Sequence, residues 1–159
     1  MERPVIYLAT DHAGLGIKND VRDWLLSEDF TVEDCGAHTY NAEDDFPDFI
    51  QIAAAAVAAA PAKRKAIIFG GSGQGEAMQA NRFKGVRAAV YYGGDPEIIT
   101  LSRQHNDANV LSIGARFVSP DLAKEMIWKW LHTGVSTEEK YRRRNLKLDR
   151  FKDKDRDET

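Results

Sequence analysis

The sequence predicts an α/β fold: one five-stranded parallel sheet with helices on both faces, followed by a charged helical tail. Three observations carry that expectation. Short β-type runs alternate with helical stretches along the chain. Prolines and capping residues fall at the helix ends. The 159 residues suffice for one domain with a sizeable core, and no internal repeat or inter-domain linker is visible.

"PVIYLAT" (4–10) reads as the first strand and ends at "DHAG". Residues 15–28 place Leu15, Ile17, Val21, Trp24, Leu25 and Leu26 mostly at helical spacing. "FTVEDCG" (30–36) is the second strand. "DDFPDFIQIAAAAVAAAP" reads as a helix, with Pro47 near its first turn and Pro61 past its end. Its alanines let it lie close to the sheet. "KAIIFG" (65–70) is the third strand, and a glycine loop leads from it into a helix that runs to about Arg82. "VRAAVYY" (86–92) is the fourth. Asp95 and Pro96 mark the N-cap and first position of the next helix. "ANVLSIGA" (108–115) is the fifth strand, and the last core helix opens at Ser119-Pro120 and closes at Gly134. Trp128 and Trp130 on that helix are expected to pack. The domain is expected over 1–135 and the tail over 136–159. Residues 138–159 hold nine Lys or Arg against seven Asp or Glu, and "KDKDRDET" is expected to fray.

Composition narrows the function. A formal net charge of −3 gives no bulk attraction to nucleic acid or anionic membrane. No apolar run reaches the roughly 20 residues of a membrane span. The lone Cys35 cannot form an internal disulfide, and the start of the chain reads as a strand rather than an export signal, so a cytoplasmic location is expected.

In parallel sheets ligands bind beyond the C-terminal strand ends. That rule gathers "DHAG", "GGSGQGE" and "GARF" into one crevice. Gly70, Gly71, Gly73 and Gly75 let backbone N–H groups converge as an anion nest, or else serve only a tight turn. The loop lacks the Lys-Ser/Thr pair of a triphosphate loop and does not follow the first strand, as a dinucleotide loop would. Glu76 directly after it is either a partner for the helix dipole or a base that takes a proton from carbon while the N–H groups hold the oxyanion. Ser72 can add a donor. Asp11 and His12 offer an acid–base pair or a helix cap, and His105 a proton shuttle or a surface histidine. The histidines and Cys35 lack zinc-ligand spacing and no calcium loop is present, so no metal and no cofactor are expected.

"ATDHAG", "GGSGQGE…ANRFKGVRA" and "LSRQHNDANVLSIGAR", in that order, resemble the ribose-5-phosphate isomerase B family, which includes the galactose-6-phosphate isomerase subunits. The resemblance runs from about Val5 to about Arg144. It implies a Rossmann-like sheet, a homodimer or dimer of dimers with shared sites, and metal-free aldose–ketose isomerisation of a sugar phosphate. Ribose 5-phosphate is the first expectation; a six-carbon sugar phosphate (allose or galactose 6-phosphate), or a non-catalytic phosphosugar- or nucleotide-binding module, is the alternative. Many members carry a cysteine base at the end of the third strand, where this chain has Gly70. A second branch uses the glutamate, here Glu76. By position, Asp11 and His105 resemble ring-opening residues, and His12 a phosphate-end residue. Ser72 with Gly71, Gly73, Gln74 and Gly75 resembles the oxyanion loop, and Asn106 and Arg116 resemble substrate contacts. Lys140 and Arg144 stand where the family has two arginines that reach the partner's phosphate. The usual Arg-His pair is Lys140-Tyr141 here, which keeps the charge but loses a bidentate fork.

Overall fold

The computed structural model describes residues 2–150. The strands are β1 (Val5–Thr10), β2 (Val32–Asp34), β3 (Arg64–Gly70), β4 (Ala88–Tyr91) and β5 (Val110–Gly114). The helices are α1 (Leu15–Ser27), α2 (Phe46–Ala59), α3 (Gln74–Ala80), α4 (Glu97–Gln104), α5 (Pro120–Leu131) and α6 (Glu139–Asp149), and a 3₁₀ turn covers His12–Gly14. The sheet runs β2-β1-β3-β5-β4 with every pair parallel, as the alternating pattern predicts.

Sequence alternation fills both faces. Along β3, Ile67 and Phe69 point to one side and Ala66 and Ile68 to the other. On the first side they meet Ile17, Val21 and Leu25 of α1, Ile99 of α4, and Ala123, Met126, Ile127 and Trp130 of α5. On the second they meet Ile50, Ala53, Ala54 and Val57 of α2. The large aliphatics are fully buried, at about 1.5–3 kcal/mol each. Trp130 is enclosed, whereas Trp128 is 40 % exposed and stacks on His132. Two residues along a helix turn by about 200°, so both rings cannot face the core.

Helix ends differ from the sequence reading in small ways. α2 starts at Phe46, which leaves Asp44 in the preceding loop. α4 starts at Glu97, whose N–H is accepted by the Asp95 carboxylate at 2.9 Å, so Asp95 caps from one position further out. Ser119 caps α5 as expected, accepting from Leu122 N–H.

Lys18 is fully buried on α1 and donates to Asp34 (2.7 Å) and to the Ala37 carbonyl (2.6 Å). Burial pushes the Asp34 carboxyl up, but hydrogen bonds from Lys18, the Gly36 N–H and Arg22 outweigh it, and the net shift is downward. This pair ties the β2–α2 loop to α1.

The tail helix α6 lies at the N-terminal edge of β4 and β5. Asn145 donates to the His105 carbonyl (3.0 Å), and Asp149 takes both its hydrogen bonds from Arg87 (2.9 Å). "KDKDRDET" (152–159), expected to fray, lies outside the described residues.

Candidate active site

The chain steps from β1 to β2 on one side and, through α2, to β3 on the other. The C-terminal ends of β1 and β3 therefore form the topological switch point at which parallel sheets bind ligands. Asp11 and His12 follow β1 there, and the glycine loop follows β3.

Glu76 sits in the first turn of α3 and is 4 % exposed. Its carboxylate folds back over the end of β3. A side-chain carbon at position 70 would overlap it, so Gly70 is the residue that makes room. Burial raises the Glu76 pKa; its own backbone N–H opposes the shift, and the charge of Asp11 adds to it. A base desolvated in this way ionises above the ordinary carboxylate range.

The loop before it is fixed from β5. Gly73 adopts φ 78°, in the left-handed region open to glycine, and its carbonyl accepts from the buried Ser112 hydroxyl at 2.7 Å. The Ser72 hydroxyl accepts from Gln74 N–H at 3.3 Å. The carbonyls of Gly70 and Gly71 accept from Ala115 and Arg116 N–H (2.8 and 3.1 Å), which docks "GAR" against the glycine loop. The Arg116 guanidinium lies over Gly71, and the Phe46 ring covers Gly75.

Asp11 is 8 % exposed, and its carboxylate accepts from Ala13 N–H at 2.9 Å, so the cap reading holds for one of its oxygens. His12 is partly exposed. Its pKa is raised, first by the hydrogen bond to Asp44; burial and Arg116 oppose, while the charges of Asp11 and Asp44 add. Asp44 was not a sequence candidate, because "DDFPDF" reads as the start of a helix. One donor atom each from Asp11, His12 and Asp44 gathers within 4.8 Å. A cation among them would have to displace the proton that now joins His12 to Asp44.

Asp11, His12, Gly71, Ser72, Gly73, Gln74, Gly75, Glu76 and Arg116 thus share one edge of the sheet. His105, Asn106, Lys140 and Arg144 do not. His105 closes α4, and Asn106 lies just before β5. The five residues of β5, at about 3.3 Å each, put roughly 15 Å between this group and Glu76. The His105 ring stacks on Tyr141 of α6, with centroids 4.1 Å apart and planes at 9°. Lys140 and Arg144 lie 4.9 and 5.8 Å from the centre of the same ring. The separation could have been read from the order of elements: a helix between parallel strands runs back, so its C-terminus lies at the N-terminal strand edge.

Comparison with known proteins agrees with this architecture. The Ribose/Galactose Isomerase family model matches residues 6–148. A probable ribose-5-phosphate isomerase B of Mycoplasma genitalium is 39% identical over 114 residues, 72% of this chain and 74% of the relative. The ribose-5-phosphate isomerase B of Mycolicibacterium paratuberculosis is 35% identical over 139 residues, 87% of this chain and 86% of its own length. The crystal structure of ribose-5-phosphate isomerase B from Mycoplasma genitalium, with bound ribulose-5-phosphate, superimposes with a TM-score of 0.87 at 34% identity, covering 92% of this chain and 94% of that one. With the switch-point site and this match over nearly its whole length, the chain belongs to the ribose/galactose isomerase family.

Proposed function

We propose that the protein interconverts ribose 5-phosphate and ribulose 5-phosphate, with Glu76 as the base. One observation carries the reading: a carboxylate buried at the end of β3, with its pKa raised, beside a glycine loop that ends in a left-handed turn. The relatives' names and the ribulose-5-phosphate bound in the Mycoplasma genitalium structure supply the substrate class.

In the open aldose, Glu76 removes the proton from C2 and the C1 carbonyl becomes an enediolate oxygen. The Glu76 carboxyl returns the proton to C1 while the C2–O bond becomes the carbonyl, and the C2 hydroxyl proton passes to O1. Loop N–H groups and the Ser72 hydroxyl stabilise the negative oxygen. Asp11 or His105 moves the proton that opens the ring. His12, Lys140 and Arg144 supply positive charge for the phosphate, and Asn106 and Arg116 contact the substrate. The chemistry is metal-independent and takes place in the cytoplasm.

Since His105, Asn106, Lys140 and Arg144 stand at the opposite sheet edge from Glu76, a complete site needs a second copy of the chain. A homodimer in which each edge meets its complement supplies two such sites. The deciding measurement is turnover of purified protein on ribose 5-phosphate, allose 6-phosphate and galactose 6-phosphate. A kcat/KM for ribose 5-phosphate at least tenfold above both hexose phosphates is expected. A preference for either six-carbon sugar refutes the substrate assignment but leaves the glutamate mechanism standing. Binding of all three without turnover refutes the mechanism.

A further inference from the structure

Asp44 stands in the β2–α2 loop, outside every motif that marked the site. Its side chain is 8 % exposed. One of its oxygens, Oδ1, accepts from the His12 backbone N–H at 3.1 Å and meets the His12 ring nitrogen Nδ1 at 2.6 Å. An ionised carboxylate only accepts, so the proton in that short contact belongs to Nδ1. The other oxygen, Oδ2, is buried and has no hydrogen-bond partner among the described residues. A buried carboxylate oxygen left unpaired costs stability, so the residue is poorly explained as a fold-stabilising group.

The imidazole has little freedom. Tyr40 meets it edge-on with ring centroids 5.9 Å apart. Asp11 comes within 3.9 Å of the same Nδ1 from the β1 loop. Arg116, from the loop after β5, is the positive group that opposes protonation. Asp11, Asp44, Arg116 and Tyr40 are thus the titratable groups that face His12. With Nδ1 committed inward, Nε2 is the ring nitrogen left for a ligand.

We propose that Asp44 is a positioning residue: its twin hydrogen bonds to His12 fix the imidazole so that Nε2–H is presented to the anionic end of the substrate. The assignment rests on the sugar-phosphate reading above and adds a residue to it. The Lys18–Asp34 pair secures the far end of the same loop by holding the Ala37 carbonyl. The support behind His12 therefore reaches from β1 through Asp44 to α1. Asp44 orients His12 as the outer carboxylate of a catalytic or metal-site histidine orients its ring.

Compare the parent with Asp44→Asn and Asp44→Ala. The amide retains an acceptor for both N–H groups but not the charge, whereas alanine removes both bonds. KM for ribose 5-phosphate is expected to rise about tenfold or more in Asp44→Ala, less in Asp44→Asn, with kcat within about threefold. The His12 ring resonance, followed by NMR with inorganic phosphate as the probe, should titrate at lower pH in Asp44→Asn. The alkaline fall of kcat/KM should move to lower pH with it. The NMR readout needs no turnover, so it still judges the Asp44–His12 pairing if ribose 5-phosphate proves not to be the substrate. Unchanged KM in Asp44→Ala with an unchanged melting temperature overturns the proposal, as does an unmoved His12 titration. Parental activity that disappears on exhaustive chelation and returns with a divalent cation also overturns it, by making Asp44 a metal ligand.

Discussion

The two edges of the sheet are built on opposite principles. At the C-terminal edge the carboxylates are withdrawn from water. Glu76 and Asp11 are buried, Asp44 is nearly so, and each is fixed by backbone or by a short hydrogen bond. At the N-terminal edge the cations Lys140 and Arg144 stand in solvent. Lys140 is 45 % exposed and pairs with Glu138 at 3.2 Å, and Lys140, Arg144 and the partly buried His105 gather around the partly buried Tyr141 ring. A proton taken from carbon requires a desolvated base with a raised pKa. A dianionic phosphate requires cations that can still turn toward it. On the proposed reading the base lies at one edge and Lys140 and Arg144 at the other, so each edge would supply part of a site.

Glu76→Gln breaks the chemical edge and should have the largest effect. The amide keeps the shape but cannot take the proton, so kcat should fall by about 10²-fold or more while substrate still binds. The pH profile sharpens the point. The base works only when ionised, so the acid limb of kcat should lie above the ordinary value of 4.5, because burial raises Glu76. The same shift implies a sign for stability. The folded state binds this proton more tightly than the unfolded one, so stability falls as pH rises through the raised pKa, and ionised Glu76 costs stability at neutral pH. Glu76→Gln should then melt no lower than the parent at pH 7. A variant that turns over within a few-fold of the parent removes Glu76 from the base role.

Much of this was legible in the residues, and the misses have physical causes. The five strands were readable because each short apolar run ends at a glycine or acid, and five of the helices because Pro47, Pro96 and Ser119-Pro120 mark their starts or their core faces show period. The Glu76 loop was readable because four glycines in six residues are rare without a close approach. Why position 70 is glycine was not readable, since the group it accommodates comes from six residues further along. Asp44 was hidden for a similar reason: its partner His12 is 32 residues away, and a lone aspartate before a helix reads as a cap. The resemblance already implied that Lys140 and Arg144 act in a partner's site; that His105 and Asn106 stand at the same far edge lay in the order of elements.

Mixing variants tests the two halves directly. Arg144→Ala damages the exposed edge and Glu76→Gln the buried one. Unfolded and refolded together in equal amounts, about half the dimers should be mixed. In each mixed dimer one site inherits both lesions and the other neither, so roughly a quarter of parental activity should return. His105→Ala should complement Glu76→Gln in the same way, since His105 shares the Arg144 edge. No recovery, with mixed dimers confirmed by mass, means that each chain closes its own site and the comparison of edges fails.

The smallest expected effect concerns Cys35, the chain's one thiol and the residue type that serves as base elsewhere in the family. It stands just past β2, and its backbone N–H bonds to the Leu8 carbonyl (2.8 Å), one strand removed from the glycine loop. Burial pushes the thiol up to about 11, with the charges of Asp34 and Glu33 adding and Lys18 opposing. Two pH units above the usual thiol value of 9.0 leave about a hundredfold less thiolate at neutral pH, and the thiolate is the reactive form. Iodoacetamide at pH 7 should therefore label Cys35 slowly, at a rate that saturating ribose 5-phosphate leaves unchanged. Cys35→Ala should keep kcat within about twofold of the parent. The contrast with Glu76 is one of placement: burial raises both groups, but only Glu76 lies against the loop that can hold an oxyanion. Protection of Cys35 by substrate, together with an inactive Cys35→Ala that still folds, would move the base from the end of β3 to the end of β2 and with it the whole chemical edge.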